Sequence, residues 1–226
     1  MAPWLFASAF GIEPPPMTVI PFPRPQPRPR HDVRLTQRRD LRTGLIGAGV
    51  IRDWDASAGI VDALLTARGL WREAGETAPL AIAPPPEVYR DAAAAGDFSS
   101  ALLSAQFSPR AVDIEVDERV LAECSLSGIE RLRARGFGIV LAIDPACPLP
   151  LGRHARALFT EIVMAAPSRL DPFMGLDAHD PHPLARRLHA AKAAGLIVTA
   201  TNVGDVNWAR ALAGVGFDRG EGPFAD

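Results

Sequence analysis

The chain reads as one α/β domain built on a parallel sheet, and three observations predict this. Its 226 residues suffice for a single domain with a sizeable core. Runs such as Gly138–Ile143 (GIVLAI) are apolar without interruption, as strands covered on both faces are. Segments with helical spacing separate these runs, most clearly in Ala111–Pro145, which reads strand, helix, strand. A net charge of −2 and an apolar content of 48% describe an ordinary soluble domain and argue against a nucleic-acid partner. Cys124 and Cys147 are too few for a disulfide framework. No apolar run reaches membrane-spanning length, and Met1–Gly11 lacks the basic flank of a signal peptide and runs into prolines. A cytoplasmic protein with no membrane contact is therefore expected.

Residues 1–30 are expected to form a disordered Pro/Arg-rich tail, and 31–226 the folded domain. Prolines recur at Pro21, Pro23, Pro25, Pro27 and Pro29 with arginines between them, which favours polyproline II and removes backbone donors. Val33–Trp54 predicts two strands around a turn at Thr43-Gly44, the second through Leu45–Ile51, with Asp53 and Asp55 in the loop that follows. Ser57–Trp71 is a helix that pairs Ile60 with Leu64 and Val61 with Leu65. Leu80–Ala83 is a short strand broken by Pro84–Pro86. Glu87–Phe107 is helical and interrupted at Gly96-Asp97.

The pivotal unit follows. Ala111–Val116 is a strand, and Ser127–Arg135 is a helix opened by the Ser127/Glu130 capping-box spacing and stopped at Gly136. Gly138–Ile143 then ends in Asp144. Both strands of such a unit finish at one edge, which brings Glu115 and Asp144 together there. Arg153–Leu158 reads as a short helix and Phe159–Met164 as a strand. In Asp177–His182, His179 and His182 stand three apart, but a surface loop with Asp180 capping a helix from Pro181 explains them better than a metal site. Leu196–Ala200 is a strand, Asp205 caps a helix with Trp208 and Leu212 on one face, and the Gly-Glu-Gly-Pro near the end is turn chemistry.

Taken in series, several of these segments resemble the EAL domains, the bacterial cyclic di-GMP phosphodiesterases. IEVDER at Ile114–Arg119 is similar to their LEITES segment, and GFGIVLAIDP at Gly136–Pro145 to the strand that ends in paired aspartates. Leu196–Gly222 resembles the family's C-terminal strand–helix segment, and Leu64–Leu70 (LLTARGL) the helix after the name-giving motif. The order and spacing hold from about Leu35 onward. The resemblance implies a (β/α)8, TIM-barrel-like EAL fold, here trimmed.

It also implies a site. Glu115 and Asp144 match metal-ligand positions. Two registers are open for the name-giving motif: one set by Trp54 and Gly47-Ala48, the other by Arg52, which places Ala48 at the glutamate position. Both lose that glutamate, and only the second makes Arg52 the phosphate-binding arginine. Ala83 stands for the family's asparagine, Pro145 for its second aspartate, and Thr201–Gly204 for the Glu-Gly-Val-Glu run. The strand lysine is missing, since Lys192 is the chain's only lysine. The resemblance with these departures implies a degenerate, non-catalytic signalling protein. It needs no cofactor, with Mg²⁺ or Mn²⁺ used if activity remains. Its partner is expected to be a protein, with weak cyclic di-GMP binding through Arg52, Asn202 and Arg219. The alternative is a two-metal cyclic di-GMP phosphodiesterase. No Walker loop, G-x-G-x-x-G, G-x-S-x-G or CxxC motif supplies other chemistry.

Overall fold

The computed structural model describes residues 32–54, 59–124, 126–143, 157–167, 170 and 183–223. The Pro/Arg-rich segment, Asp55, Asp144, Pro145, Cys147 and the Asp177–His182 loop lie outside them. Among the described residues, eight strands close a barrel in chain order. They are β1 (Val33–Asp40), β2 (Ile46–Trp54), β3 (Leu80–Ile82), β4 (Val112–Asp117), β5 (Gly138–Ala142), β6 (Glu161–Ala165), β7 (Ile197–Thr201) and β8 (Arg219–Glu221). All neighbours are parallel except β1, which runs antiparallel to both β2 and β8. The helices are α1 (Ile60–Glu73), α2 (Ala92–Ser104), α3 (Glu118–Glu123), α4 (Leu126–Ala134), α5 (Pro183–Ala193) and α6 (Val206–Val215).

Alternation along each strand sorts the side chains into two environments. Leu80, Ile82, Ile114, Val116, Ile139, Leu141, Ile162, Met164 and Val198 point outward and form the main apolar core with the helices. The interior positions mix small and polar residues, among them Ala81, Asp113, Glu115, Gly138, Glu161 and Thr199, with the buried valines Val50, Val140 and Val163. The space they leave is filled by the side chain of Arg38, which is 0% exposed.

Several expectations change in detail. The break in Glu87–Phe107 falls at Arg90-Asp91, between a 3-10 turn (Pro86–Tyr89) and α2, and the helix runs straight through Gly96-Asp97. The reason is a cap: the Asp91 carboxylate accepts from the Ala94 N–H at 2.8 Å. Ser127 lies inside α4 rather than at its cap, so the Ser127/Glu130 box does not open that helix. An unforeseen short helix, α3, precedes it, capped by Asp117, which accepts from the Arg119 N–H at 2.7 Å. Asp53 belongs to β2 and faces the exposed Arg34, not a loop. Gly220 and Glu221, expected within the Gly-Glu-Gly-Pro turn, belong instead to the closing strand β8, because that strand pairs with both β1 and β7. Asp205 does cap α6, accepting from the Asn207 and Trp208 N–H groups.

Two irregularities in the β1–β2 hairpin matter for the interior. Arg38 pairs with Ala48 but Arg39 with Ile46, leaving Gly47 as an extra residue. A Cβ at Gly47 would lie 2.7 Å from Nε of Arg219, so the missing side chain gives that arginine its place. Arg34 pairs with Asp53 but Leu35 with Ile51, leaving Arg52 as the extra residue of a second bulge.

Candidate functional site

The interior strand positions converge on an arginine–glutamate network. Arg38, from β1, donates through Nη2 to Glu115 Oε2, through Nη1 to Glu161 Oε1 at 3.4 Å, and through Nε to Glu221 Oε2 at 3.3 Å. Arg52, at its bulge on β2, donates through Nε to Glu221 Oε1 at 2.6 Å, through Nη2 to Glu221 Oε2, and through Nη1 to Glu115 Oε1 at 2.9 Å. Glu161 also accepts from Thr199 Oγ1 at 2.6 Å and from Arg219 Nη1 at 2.8 Å. Thr36 Oγ1 donates to Glu221 at 2.9 Å. All six oxygens of the three glutamates are thus engaged, and three guanidiniums balance three carboxylates. Such charge-assisted and partly bidentate bonds are the strong kind.

Burial alone would pull the Arg38 guanidinium down, but the surrounding glutamates, Glu115 foremost, outweigh it and hold it above its ordinary value. Arg52 is raised in the same balance, with Glu221 as the main opposing partner to burial. Burial would raise the Glu221 carboxyl, yet the bonds and charge of Arg52, helped by Arg38 and Thr36, hold it below the ordinary range. Asp113, on the same inward face of β4 two residues before Glu115, goes the other way. Burial, reinforced by Glu161, pushes it up to about 6, with Arg38 and Arg219 opposing only in part. Tyr89 is buried and donates to the Glu115 carbonyl at 2.9 Å, tying the 3-10 turn to the end of β4; burial raises its phenol well above the ordinary value.

Above this network the barrel mouth opens into two clefts that share Arg52, Asn202 and Glu221. The smaller, about 270 Å³, lies at the C-terminal ends of the strands and is also lined by Glu115, Ile143, Met164 and Thr201. The larger, about 770 Å³, extends over β1 past Arg34, Thr36, Arg39 and Asp53. Arg52 is about 30% exposed there, while Glu115 and Glu221 are about 8% exposed. Asn202 follows β7 with φ of 60°, a left-handed conformation that asparagine tolerates better than most residues.

Three sequence-expected residues, Arg52, Glu115 and Asn202, therefore meet at one mouth, where parallel barrels place their sites. The bulge carries Arg52 inward, a choice of face that the sequence left open. Asp144 lies outside the described residues. Arg219 reaches Glu161 inside the barrel. Sequence reading missed Arg38, Glu161 and Glu221. The available signals were an acid inside the apolar run FTEIVM and the two-residue alternation of Thr36 with Arg38.

The described residues do not fit a divalent-metal pair. Each glutamate oxygen already accepts a hydrogen bond, and Arg38 and Arg52 stand where a cation would have to approach. Among the described residues, no three His, Cys, Asp or Glu side chains are placed to hold a metal ion.

The closed barrel with one antiparallel strand at its start has the fold of solved EAL domains. Solved EAL structures superpose on most of the chain. The PaMucR phosphodiesterase, in complex with c-di-GMP, matches with a TM-score of 0.60 at 17% identity, covering 85% of this chain and 94% of its own. The EAL domain of Mycobacterium smegmatis DcpA matches with a TM-score of 0.60 at 18% identity, covering 85% of this chain and 90% of its own. Klebsiella pneumoniae BlrP1, solved with c-di-GMP and calcium or manganese, gives 0.63 at 18% identity over 89% of this chain. The present chain spans 56% of the calcium-bound BlrP1 chain. Neither protein-family profiles nor curated protein sequences give a match. Among the described residues no helix is long and apolar enough to cross a membrane.

Proposed function

We propose that this chain is a non-catalytic EAL-like signalling module that acts by binding a protein partner. The observation that carries this reading is the full engagement of Glu115, Glu161 and Glu221 by Arg38, Arg52 and Arg219. Two-metal phosphodiester hydrolysis needs carboxylates free to hold both ions and to lower the pKa of a bound water. Here those charges are already neutralised from within the protein.

The same network bears on the nucleotide. Recognition of a cyclic dinucleotide calls for guanidinium forks on its phosphates and flat surfaces for its bases. Arg52 spends Nε, Nη1 and Nη2 on glutamates, and the only tyrosine, Tyr89, is buried against Glu115. We expect a dissociation constant for cyclic di-GMP weaker than about 10 µM, which leaves a protein as the favoured partner.

The test is the purified chain with cyclic di-GMP and Mg²⁺ or Mn²⁺, product followed by chromatography, beside a calorimetric titration without turnover. No product and weak or absent heat are expected. Turnover of about 1 per second or faster would overturn the reading in favour of a phosphodiesterase. Sub-micromolar binding lost in Arg52→Ala would make the protein a nucleotide receptor instead.

A further inference from the structure

We propose that Arg38 and Arg52 are built-in counter-cations: they hold together, inside the barrel, a set of carboxylates that would otherwise recruit a divalent ion. The inference deepens the non-catalytic reading and rests on it. Three glutamates from three different strands, β4, β6 and β8, point into one interior. Glu115 and Glu221 are nearly buried, and Glu161 is 3% exposed. Like charges gathered at such depth repel unless a cation sits among them.

Arg38 meets all three glutamates and Arg52 meets two, Glu115 and Glu221, from the two strands of the β1–β2 hairpin. A guanidinium is planar, permanently charged and weakly hydrated, so it can fill this role in a dry interior at any physiological pH. It also cannot exchange with solvent, whereas a metal can. Fold integrity should therefore be independent of metal supply.

The two arginines differ in access. Arg38 is sealed in the interior, while Arg52 faces the 270 Å³ cleft beside Thr201 and Asn202. Removing the guanidinium of Arg52 takes from Glu115 Oε1 its donor and leaves Glu221 with Thr36 and Arg38 alone, both carboxylates beside that cleft with oxygen-bearing side chains and room for water around them. Hard, water-rich cations such as Mg²⁺, Mn²⁺ and Ca²⁺ take that kind of surrounding. Arg52→Met, which keeps an unbranched apolar stem, should therefore bind a divalent ion that the unmodified chain does not.

The experiment compares the unmodified chain, Arg52→Met and Arg52→Lys in EDTA and in 10 mM Mg²⁺, Mn²⁺ or Ca²⁺. Thermal midpoints and the amplitude of the free Mn²⁺ electron-spin-resonance signal are read for each. The unmodified chain and Arg52→Lys should shift by less than about 1 °C and leave the Mn²⁺ signal intact. Arg52→Met should rise by about 3–6 °C if its dissociation constant is about 1 mM, and should deplete free Mn²⁺. Adding Glu221→Gln to Arg52→Met should abolish both effects. If Arg52→Met does not fold in EDTA, refolding in Mn²⁺ is the same test: rescue supports the proposal and failure overturns it. Metal stabilisation of the unmodified chain, or a folded Arg52→Met that takes no ion, also overturns it. Cyclic di-GMP hydrolysis by the unmodified chain would sink the functional reading, whereas a metal-blind Arg52→Met sinks only this one.

Discussion

Replacing Arg38 by alanine should be among the most damaging single substitutions in the barrel. Its side chain is wholly buried and donates to Glu115, Glu161 and Glu221 on three other strands. Each such charged hydrogen bond contributes about 1.5–3 kcal/mol taken alone. The three losses overlap, because Arg52 still serves Glu115 and Glu221 and Arg219 still serves Glu161. The figure for removing one partner from a buried ion network, about 3–5 kcal/mol, is therefore the better guide. At about 2–4 °C per kcal/mol for a domain of this size, the midpoint should fall by about 6–20 °C. The loss should also depend on pH. The variant holds surplus negative charge, so its folded state takes up a proton more readily than the unfolded chain does. That contribution is present at low pH and disappears as pH rises, so the gap to the unmodified chain should be narrower at about pH 5 than at about pH 8. Scanning calorimetry or denaturant midpoints at both pH values measure it. Arg34→Ala, in an exposed pair with Asp53, is the contrast and should move the midpoint by no more than about 2 °C. A fall of less than about 3 °C for Arg38→Ala, or a gap that does not change with pH, would refute the network as a source of stability.

Asp113, pushed up to about 6 by burial and Glu161, contributes stability fully below about pH 4 and loses it as pH rises through about 6. Asp113→Asn should therefore gain on the unmodified chain between about pH 4 and pH 8 in urea midpoints; a constant difference would refute the assignment. Gly128→Ala should cost about 1–3 kcal/mol, because the added Cβ would lie 2.5 Å from the backbone oxygen of Tyr89, which cannot swing aside as a side-chain end can. A neutral result in chemical denaturation would mean that α4 can shift away from the 3-10 turn. Asp205→Ala removes the acceptor for two N–H groups at the start of α6 and should lower the midpoint by about 2–4 °C, with Asp205→Ser restoring most of it.

Local chemistry alone determined much of the scaffold. A continuous apolar run marked β5, Asp205 marked the start of α6, and Gly44, with φ of 74°, turned the first hairpin as its sequence suggested. These features depend on neighbours a few residues away, which the sequence displays directly. Glu115, Arg52 and Asn202 could be named as mouth residues because strand ends can be counted along the chain. What they touch could not. Arg38 and Glu221 lie 183 residues apart, and Arg38 and Glu161 lie 123 apart. In a closed barrel, inward side chains from distant strands share one interior, so a basic N-terminal strand and an acidic C-terminal turn became two sides of one ion network. The strand character of Arg219–Glu221 had the same origin: a three-residue piece with a glycine has little intrinsic preference, and pairing with β1 and β7 decided its conformation. The bulges at Gly47 and Arg52 likewise arise from closing the β1–β2 hairpin into the barrel. They set which face Arg52 presents, and with it whether the glutamates of the mouth meet an arginine or stand free.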